Sequence, residues 1–181
     1  MTAARGPGAP RATALGPGPA RTAARGPGAP TTDQGLGTAL AAEHAAVYAY
    51  GVIGARTTGG LRVTATAAFN AHRARRDQLR TLITARGGTP AEPSPTYGLP
   101  VIPSTPDEAV ELAVLVERGV TAAYLELTAS SDAAVRRMAA LAMQECVTRS
   151  YGLRPEIEPF PGMPPAPTPA TSTAPSPPPV S

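Results

Sequence analysis

The sequence of 181 residues predicts an all-α fold of four helices, arranged as two antiparallel hairpins that one long crossover joins. Three observations lead to this class. Apolar residues recur at helical spacing in four segments. Start and stop signals bound those segments, and the connections between them are short, long and short in turn. A β-strand pattern is confined to a short L-P-V-I run at 99–102.

The two ends of the chain have compositions that cannot build a core. Residues 1–32 are an Ala/Gly/Pro/Arg tail in which T-A-A-R-G-P-G-A-P occurs twice, and residues 163–181 are Pro-rich. Such segments bury too little apolar surface to offset their ordering entropy, so we predict that both are disordered. The predicted domain therefore spans residues 33–162. The Pro-rich tail is of the kind that docks on a protein partner.

The basic character of the chain comes from its first residues. The pI is about 9.5, but four of the 16 basic residues lie in the first 32, and the 12 that remain face 13 acidic residues. A nearly neutral domain without interleaved aromatic and basic residues does not favour nucleic-acid binding. No apolar run approaches membrane-spanning length, no secretory signal is visible, and the single Cys146 excludes an intramolecular disulfide. We expect a cytoplasmic protein with no membrane partner.

The first hairpin follows from its stop signals. Helix 1 is predicted over about 34–55, with Thr32 or Asp33 as its N-cap. The T-T-G-G sequence at 57–60 breaks the pattern. Helix 2 is predicted over about 61–86 and ends at a Gly-Gly pair, which suits a helix C-terminus.

The second hairpin begins with the strongest local signal in the chain. Thr105 is an N-cap, Pro106 occupies the first helical position, and Glu108 completes a capping box. Helix 3 is predicted to reach about Thr128, and helix 4 to run from a Ser-Ser-Asp cap to about residue 151.

About 19 residues with five prolines separate helices 2 and 3. At roughly 3.1 Å per residue an extended segment of this length reaches about 60 Å, whereas a 24-residue helix is about 36 Å long. The connection can therefore return along the whole bundle. Two hairpins joined by one such crossover is the connectivity of ferritin-like four-helix bundles.

One ionisable residue interrupts the apolar stripe of each predicted helix, and these four are Glu43, His72, Glu117 and Glu145. A buried carboxylate is costly unless it is paired or binds a metal. Carboxylate and imidazole donors suit iron or manganese. The sequence thus predicts either a metal site or a buried hydrogen-bonded network, in which an Arg such as Arg76 or Arg149 pairs with a Glu. The residues predicted to surround this site are His44, Tyr50, Tyr124 and Thr148.

The predicted domain resembles the actinobacterial ferritin-like domain of unknown function. The resemblance rests on A-L-A-A-E-H-A-A-V-Y-A-Y-G-V, H-R-A-R-R-D-Q-L, Y-G-L-P, V-E-R-G-V-T-A-A-Y and P-F-P-G. It implies a ferritin-like bundle but brings no known activity. The di-metal pattern needs Glu-x-x-His on two helices. Phe69 stands three residues before His72 and Thr148 three residues after Glu145, so that ligand set is incomplete.

Two functions follow from these observations. The first is a non-catalytic structural or binding module with a buried Glu/His network. Such a module could form a homodimer through its Ala-rich helix faces. The second is an iron- or manganese-binding ferritin-like protein with Glu43, His72, Glu117 and Glu145 as ligands. The sequence contains no Ser-His-Asp arrangement, phosphate loop or Cys-x-x-Cys pattern that would indicate an enzyme.

Overall fold

The computed structural model describes residues 31–156 and 160–163, and this part of the chain is all-helical, without strands. The predicted all-α class is confirmed. The predictions for the two terminal tails fall mainly outside the described residues. Four α-helices and one short 3₁₀ helix follow in order: α1 (Thr32–Arg56), α2 (Gly59–Ala85), α3 (Pro106–Leu125), the 3₁₀ helix (Glu126–Ala129) and α4 (Ala133–Leu153). None of these helices combines the length and apolar character that crossing a membrane requires.

The first hairpin is tighter than its sequence suggests. The N-cap of α1 is Thr31, which forms a capping box with Gln34, rather than Thr32 or Asp33. Only Thr57 and Thr58 separate α1 from α2, because Gly59 has a positive φ of 58° and already begins the second helix. A single glycine in the left-handed region makes the turn.

The start signals of the second hairpin are confirmed. The Thr105 hydroxyl accepts from the Glu108 backbone N–H at 3.2 Å, and the Glu108 carboxylate accepts from the Thr105 N–H at 3.1 Å. Asp132 caps α4 by accepting from the N–H groups of Ala134 and Val135. These caps satisfy N–H groups that a helix start otherwise leaves without partners.

Contacts between helix ends fix the direction of each helix. Helix α1 packs against α2 and α3, and α3 packs against α4. Arg86, after the end of α2, pairs with Asp33 at the start of α1 and with Asp132 before α4. Helix α2 is therefore antiparallel to both, and α1 and α4 begin at the same end of the molecule.

The long connection returns along α1. His44 contacts the Ala91 carbonyl oxygen, the Tyr48 and Tyr97 rings lie 5.4 Å apart, and Arg56 donates to the carbonyl of Pro103. The linker thus advances with α1 from its middle to its C-terminal end, and α3 starts beside the start of α2. The predicted length-spanning crossover describes this path.

The helices enclose two apolar clusters and a polar layer. One cluster contains Leu36, Leu40, Leu79, Val120 and Leu127 among its members. The other contains Tyr50, Ile53, Ala65, Ala68, Leu112 and Ala113 among its members. On α2 and α3, His72 and Glu117 lie between members of the two clusters, whereas Glu43 on α1 lies among members of the first cluster, between Leu40 and Ala46. All three are completely buried, so the core contains a layer of ionisable side chains as well as apolar ones.

The capping box of α3 provides a test of the local signals. We expect Thr105→Ala to lower the free energy of unfolding by about 1 kcal/mol, because it removes an N-cap acceptor. Thr66→Ala is the control, since Thr66 is exposed within α2 and bonds only its own helix backbone. Urea unfolding measures both. A Thr105→Ala variant as stable as the wild type would contradict the role of the cap.

Candidate functional site

Three of the four predicted site residues meet in the polar layer. Nδ1 of His72 lies 2.7 Å from Oε2 of Glu43, and Nε2 lies 3.2 Å from Oε1 of Glu117. Both ring nitrogens therefore face carboxylate oxygens, which can only accept when ionised. An imidazolium donates in both contacts, so this geometry favours the charged form of His72, which joins α1 to α3 through α2. Nη2 of Arg149 also lies 3.5 Å from Nε2 of His72.

Two tyrosines complete the shell around the carboxylates. The Tyr50 hydroxyl donates to Oε1 of Glu117 at 2.6 Å, and the Tyr124 hydroxyl donates to Oε1 of Glu43 at 2.9 Å. The Tyr50 ring also stacks on the His72 ring, with centroids 5.3 Å apart. Burial raises the pKa of both phenols, and the neighbouring carboxylates raise it further. Both hydroxyls thus remain donors.

Helix α4 supplies an arginine to this layer. Nε of Arg149 donates to Oε1 of Glu117 at 2.8 Å, and Nη2 donates to Oε2 of the same carboxylate at 3.2 Å. This two-point contact is the strongest form of ion pair that a carboxylate makes with a side chain. The predicted alternative of a Glu paired with Arg149 matches this geometry. Arg76 instead pairs with the exposed Asp77.

The network shifts the ionisation of its members in opposite directions. Burial alone raises the pKa of Glu117, but the hydrogen bonds and charges of His72 and Arg149 outweigh it and bring the pKa to about 2. Burial alone lowers the pKa of His72, yet hydrogen bonds to Glu117 and Glu43 raise it overall. Each ion therefore favours the charged form of the other.

The structure corrects the prediction for α4. Glu145 does not lie on the buried stripe, since 53% of its side chain is exposed, and Thr148 is exposed and donates to its own helix backbone at Gln144. The buried residues of α4 are Val135, Ala139, Ala142 and Cys146. The helix is rotated by about one residue from the predicted face, because small side chains pack inward and Leu141 remains 48% exposed.

His44 lies apart from the polar layer. It is buried, and its Nε2 lies 3.2 Å from the carbonyl oxygen of Ala91 on the linker. The predicted role near the site therefore does not match its position. A histidine about 100° around the helix from Glu43 faces the crossover instead.

Two residues beside the layer were not predicted as part of it. Arg75 donates to Glu145, and its Nε lies 3.9 Å from Oε1 of Glu43. It follows His72 by three residues, which places the two side chains on one helix face, and this spacing was the available signal. Cys146 is buried, and burial raises the pKa of its thiol, so the sulfur is not a reactive thiolate.

The donor set does not fit a metal ion. The carboxylates of Glu43 and Glu117 already accept from tyrosine, histidine and arginine donors, and a guanidinium covers both oxygens of Glu117. Across 31–156 and 160–163, no buried polar side-chain atom lacks a hydrogen-bond partner. Nor does any group of three His, Cys, Asp or Glu residues there have a metal-holding arrangement. Two side chains of the protein, His72 and Arg149, supply the positive charge that a metal ion would otherwise supply.

The fold and the polar layer together define an all-helical protein with a buried cluster of carboxylates, imidazole and guanidinium. The chain belongs to the family described as Domain of unknown function (DUF4439), whose model matches residues 35–165. This confirms the predicted membership in a domain family of unknown function.

A solved structure extends the comparison. The chain is similar to the conserved hypothetical protein rv2844 from Mycobacterium tuberculosis, with 31% sequence identity and a TM-score of 0.64. The match covers 67% of this chain and 87% of that protein. No curated protein matches the chain.

Because the pKa of Glu117 is low, the stability of the fold depends on pH. Because the pKa of Glu117 is lower in the folded protein than its value of 4.5 in the unfolded chain, ionised Glu117 stabilises the fold at pH values above 4.5. This stabilisation is lost as the pH falls towards about 2. The difference amounts to on the order of 3 kcal/mol. We expect Glu117→Gln to be less stable at pH 7 and to lose that part of the decline between pH 4.5 and 2.

Chemical denaturation at a series of pH values measures this effect. Glu111→Gln is the control, because Glu111 is an exposed carboxylate on the same helix, and its variant should retain the acid dependence of the wild type. Parallel pH profiles for Glu117→Gln and wild type would show that Glu117 is not a strongly paired carboxylate.

Proposed function

We propose that this protein is a non-catalytic structural or binding module whose polar layer stabilises a metal-independent core. The main observation that supports this proposal is the two-point contact of Arg149 with Glu117. That contact places a permanent cation against a carboxylate that a metal site would need. The tyrosine hydroxyls have raised pKa values and the only thiol is protonated, so neither class of side chain offers a ready nucleophile.

We also propose that the four helices form a ferritin-like bundle. The order of the helices, the antiparallel contacts and the long crossover along α1 support this assignment. Glu43, His72 and Glu117 lie at mid-helix, where ferritin-like proteins carry metal ligands. On this proposal Arg149 and His72 supply the positive charge that metal ions supply elsewhere in the superfamily.

Metal analysis tests the structural role directly. We expect protein produced in iron- and manganese-supplemented medium to contain far less than one metal ion per chain, because donors of the protein already engage the buried carboxylates. Inductively coupled plasma mass spectrometry gives the metal content. His72→Gln is the matched variant. Stoichiometric iron or manganese in the wild type that disappears in His72→Gln would favour the metalloprotein instead.

The binding part of the proposal concerns a groove between α1, α3 and the linker. Its volume is about 300 Å³, and small or apolar side chains line it, among them Ala42, Ala45, Ala49, Leu115 and Gly119. Small residues let a second helix approach closely, and one self-complementary face suffices for a two-fold dimer. We propose a second copy of this chain as the occupant.

The oligomeric state tests this interface. We expect sedimentation velocity to show a concentration-dependent dimer and Leu115→Glu to abolish it, because a carboxylate would be buried in an apolar groove. Leu141→Glu is the control, since Leu141 is 48% exposed on α4 outside the groove. A wild-type monomer at all concentrations, or equal loss of the dimer in both variants, would contradict the proposal.

A further inference from the structure

Three charged side chains bridge the space between α2 and α4. Oε2 of Glu145 accepts from Nη2 of Arg75, and the same oxygen lies 3.9 Å from Nη1 of Arg149. One carboxylate oxygen is thus placed between two guanidinium groups from different helices. The arginine side chains are only 12% and 20% exposed, whereas the Glu145 side chain is 53% exposed.

Both arginines are held by contacts that do not involve Glu145. Arg149 binds both oxygens of Glu117. The Arg75 guanidinium lies 6.0 Å from the centre of the Tyr124 ring, and its Nε lies 3.9 Å from Glu43. These partners are completely buried. Arg149 is therefore held without Glu145, whereas the longer contacts of Arg75 with Glu43 and Tyr124 keep its guanidinium group beside the polar layer.

The charges of the layer require one further anion. Two carboxylates, Glu43 and Glu117, face three cations, Arg75, Arg149 and the His72 imidazolium. The excess is one positive charge, which Glu145 balances. A half-exposed carboxylate on a flexible side chain gains little from an ion pair that water screens. Glu145 is therefore a half-exposed counter-ion beside two largely buried cations.

We propose that the pair Arg75 and Arg149 is a binding site for a small oxyanion, with Glu145 as an internal anion that occupies it in the absence of ligand. The planar, multiply donating guanidinium group suits phosphate and carboxylate oxygens. The Glu145 side chain is 53% exposed, so a ligand that displaces its carboxylate reaches the two arginines from solvent. This inference goes beyond the structural role proposed above and depends on the two arginines rather than on the metal content.

Calorimetric titration with inorganic phosphate tests the site, with sodium chloride added to hold the ionic strength constant because salt screens exposed charges. We expect Glu145→Gln to bind phosphate on the order of fivefold more tightly than the wild type, since the competing carboxylate is gone. We expect Arg75→Gln to bind at least about tenfold more weakly, since a charged donor is lost.

The matched control is Arg137→Gln, because Arg137 is an exposed arginine on α4 and should leave phosphate affinity unchanged. Where Arg75→Gln unfolds, Arg75→Lys keeps the charge but not the planar donor group, and intermediate affinity is expected. Equal phosphate affinity in wild type and Glu145→Gln, or full affinity in the folded Arg75 variant, would overturn the proposal.

A parallel titration with acetate shows whether the site prefers a carboxylate or a phosphoryl ligand. Acetate binding at least as tight as phosphate binding, with the same dependence on Arg75, would support a carboxylate ligand. Tighter phosphate binding with that dependence would support a phosphoryl ligand. Binding of neither anion to Glu145→Gln would overturn the site while leaving the metal-independent core unaffected.

Discussion

The two completely buried carboxylates, Glu43 and Glu117, impose the constraint on which the rest of this core depends. Moving an ionised carboxylate out of water costs several kcal/mol even after the protein relaxes, and only close, well-directed partners offset that cost. Here each oxygen meets a histidine, tyrosine or arginine donor. Loss of His72 or Tyr124 would leave an oxygen of Glu43 buried without a hydrogen-bond donor, which costs more than the net gain from forming the bond.

This constraint also joins the helices. Glu43 comes from α1, His72 from α2, Glu117 from α3 and Arg149 from α4, and each contact in the layer crosses between helices. Apolar packing alone allows helices to slide or rotate with modest losses, whereas directed hydrogen bonds have narrow geometry. The layer is buried beside both apolar clusters, so it fixes the relative positions of four helices at the middle of the core.

The sequence predicted the first three helices and their buried polar residues because large apolar side chains and one ionisable residue share a stripe at helical spacing. On α4 the same spacing predicted that Glu145 lies on the buried face, and that prediction was wrong. The inward face carries Ala139, Ala142 and Cys146, whose small side chains contribute little to an apolar pattern. Which face of such a helix is buried depends on how closely its neighbour approaches, and that information lies in the other helices.

The rotation of α4 also explains why three acidic residues do not form one site. If Glu145 pointed inward, three carboxylates would face a single histidine, and a metal ion would be the natural remedy for their repulsion. With α4 turned, Arg149 reaches Glu117 from within the layer and Glu145 remains in contact with water. The protein thereby balances its buried charge with its own side chains, and Arg75 and Arg149 lie at the edge of the layer, beside the half-exposed Glu145.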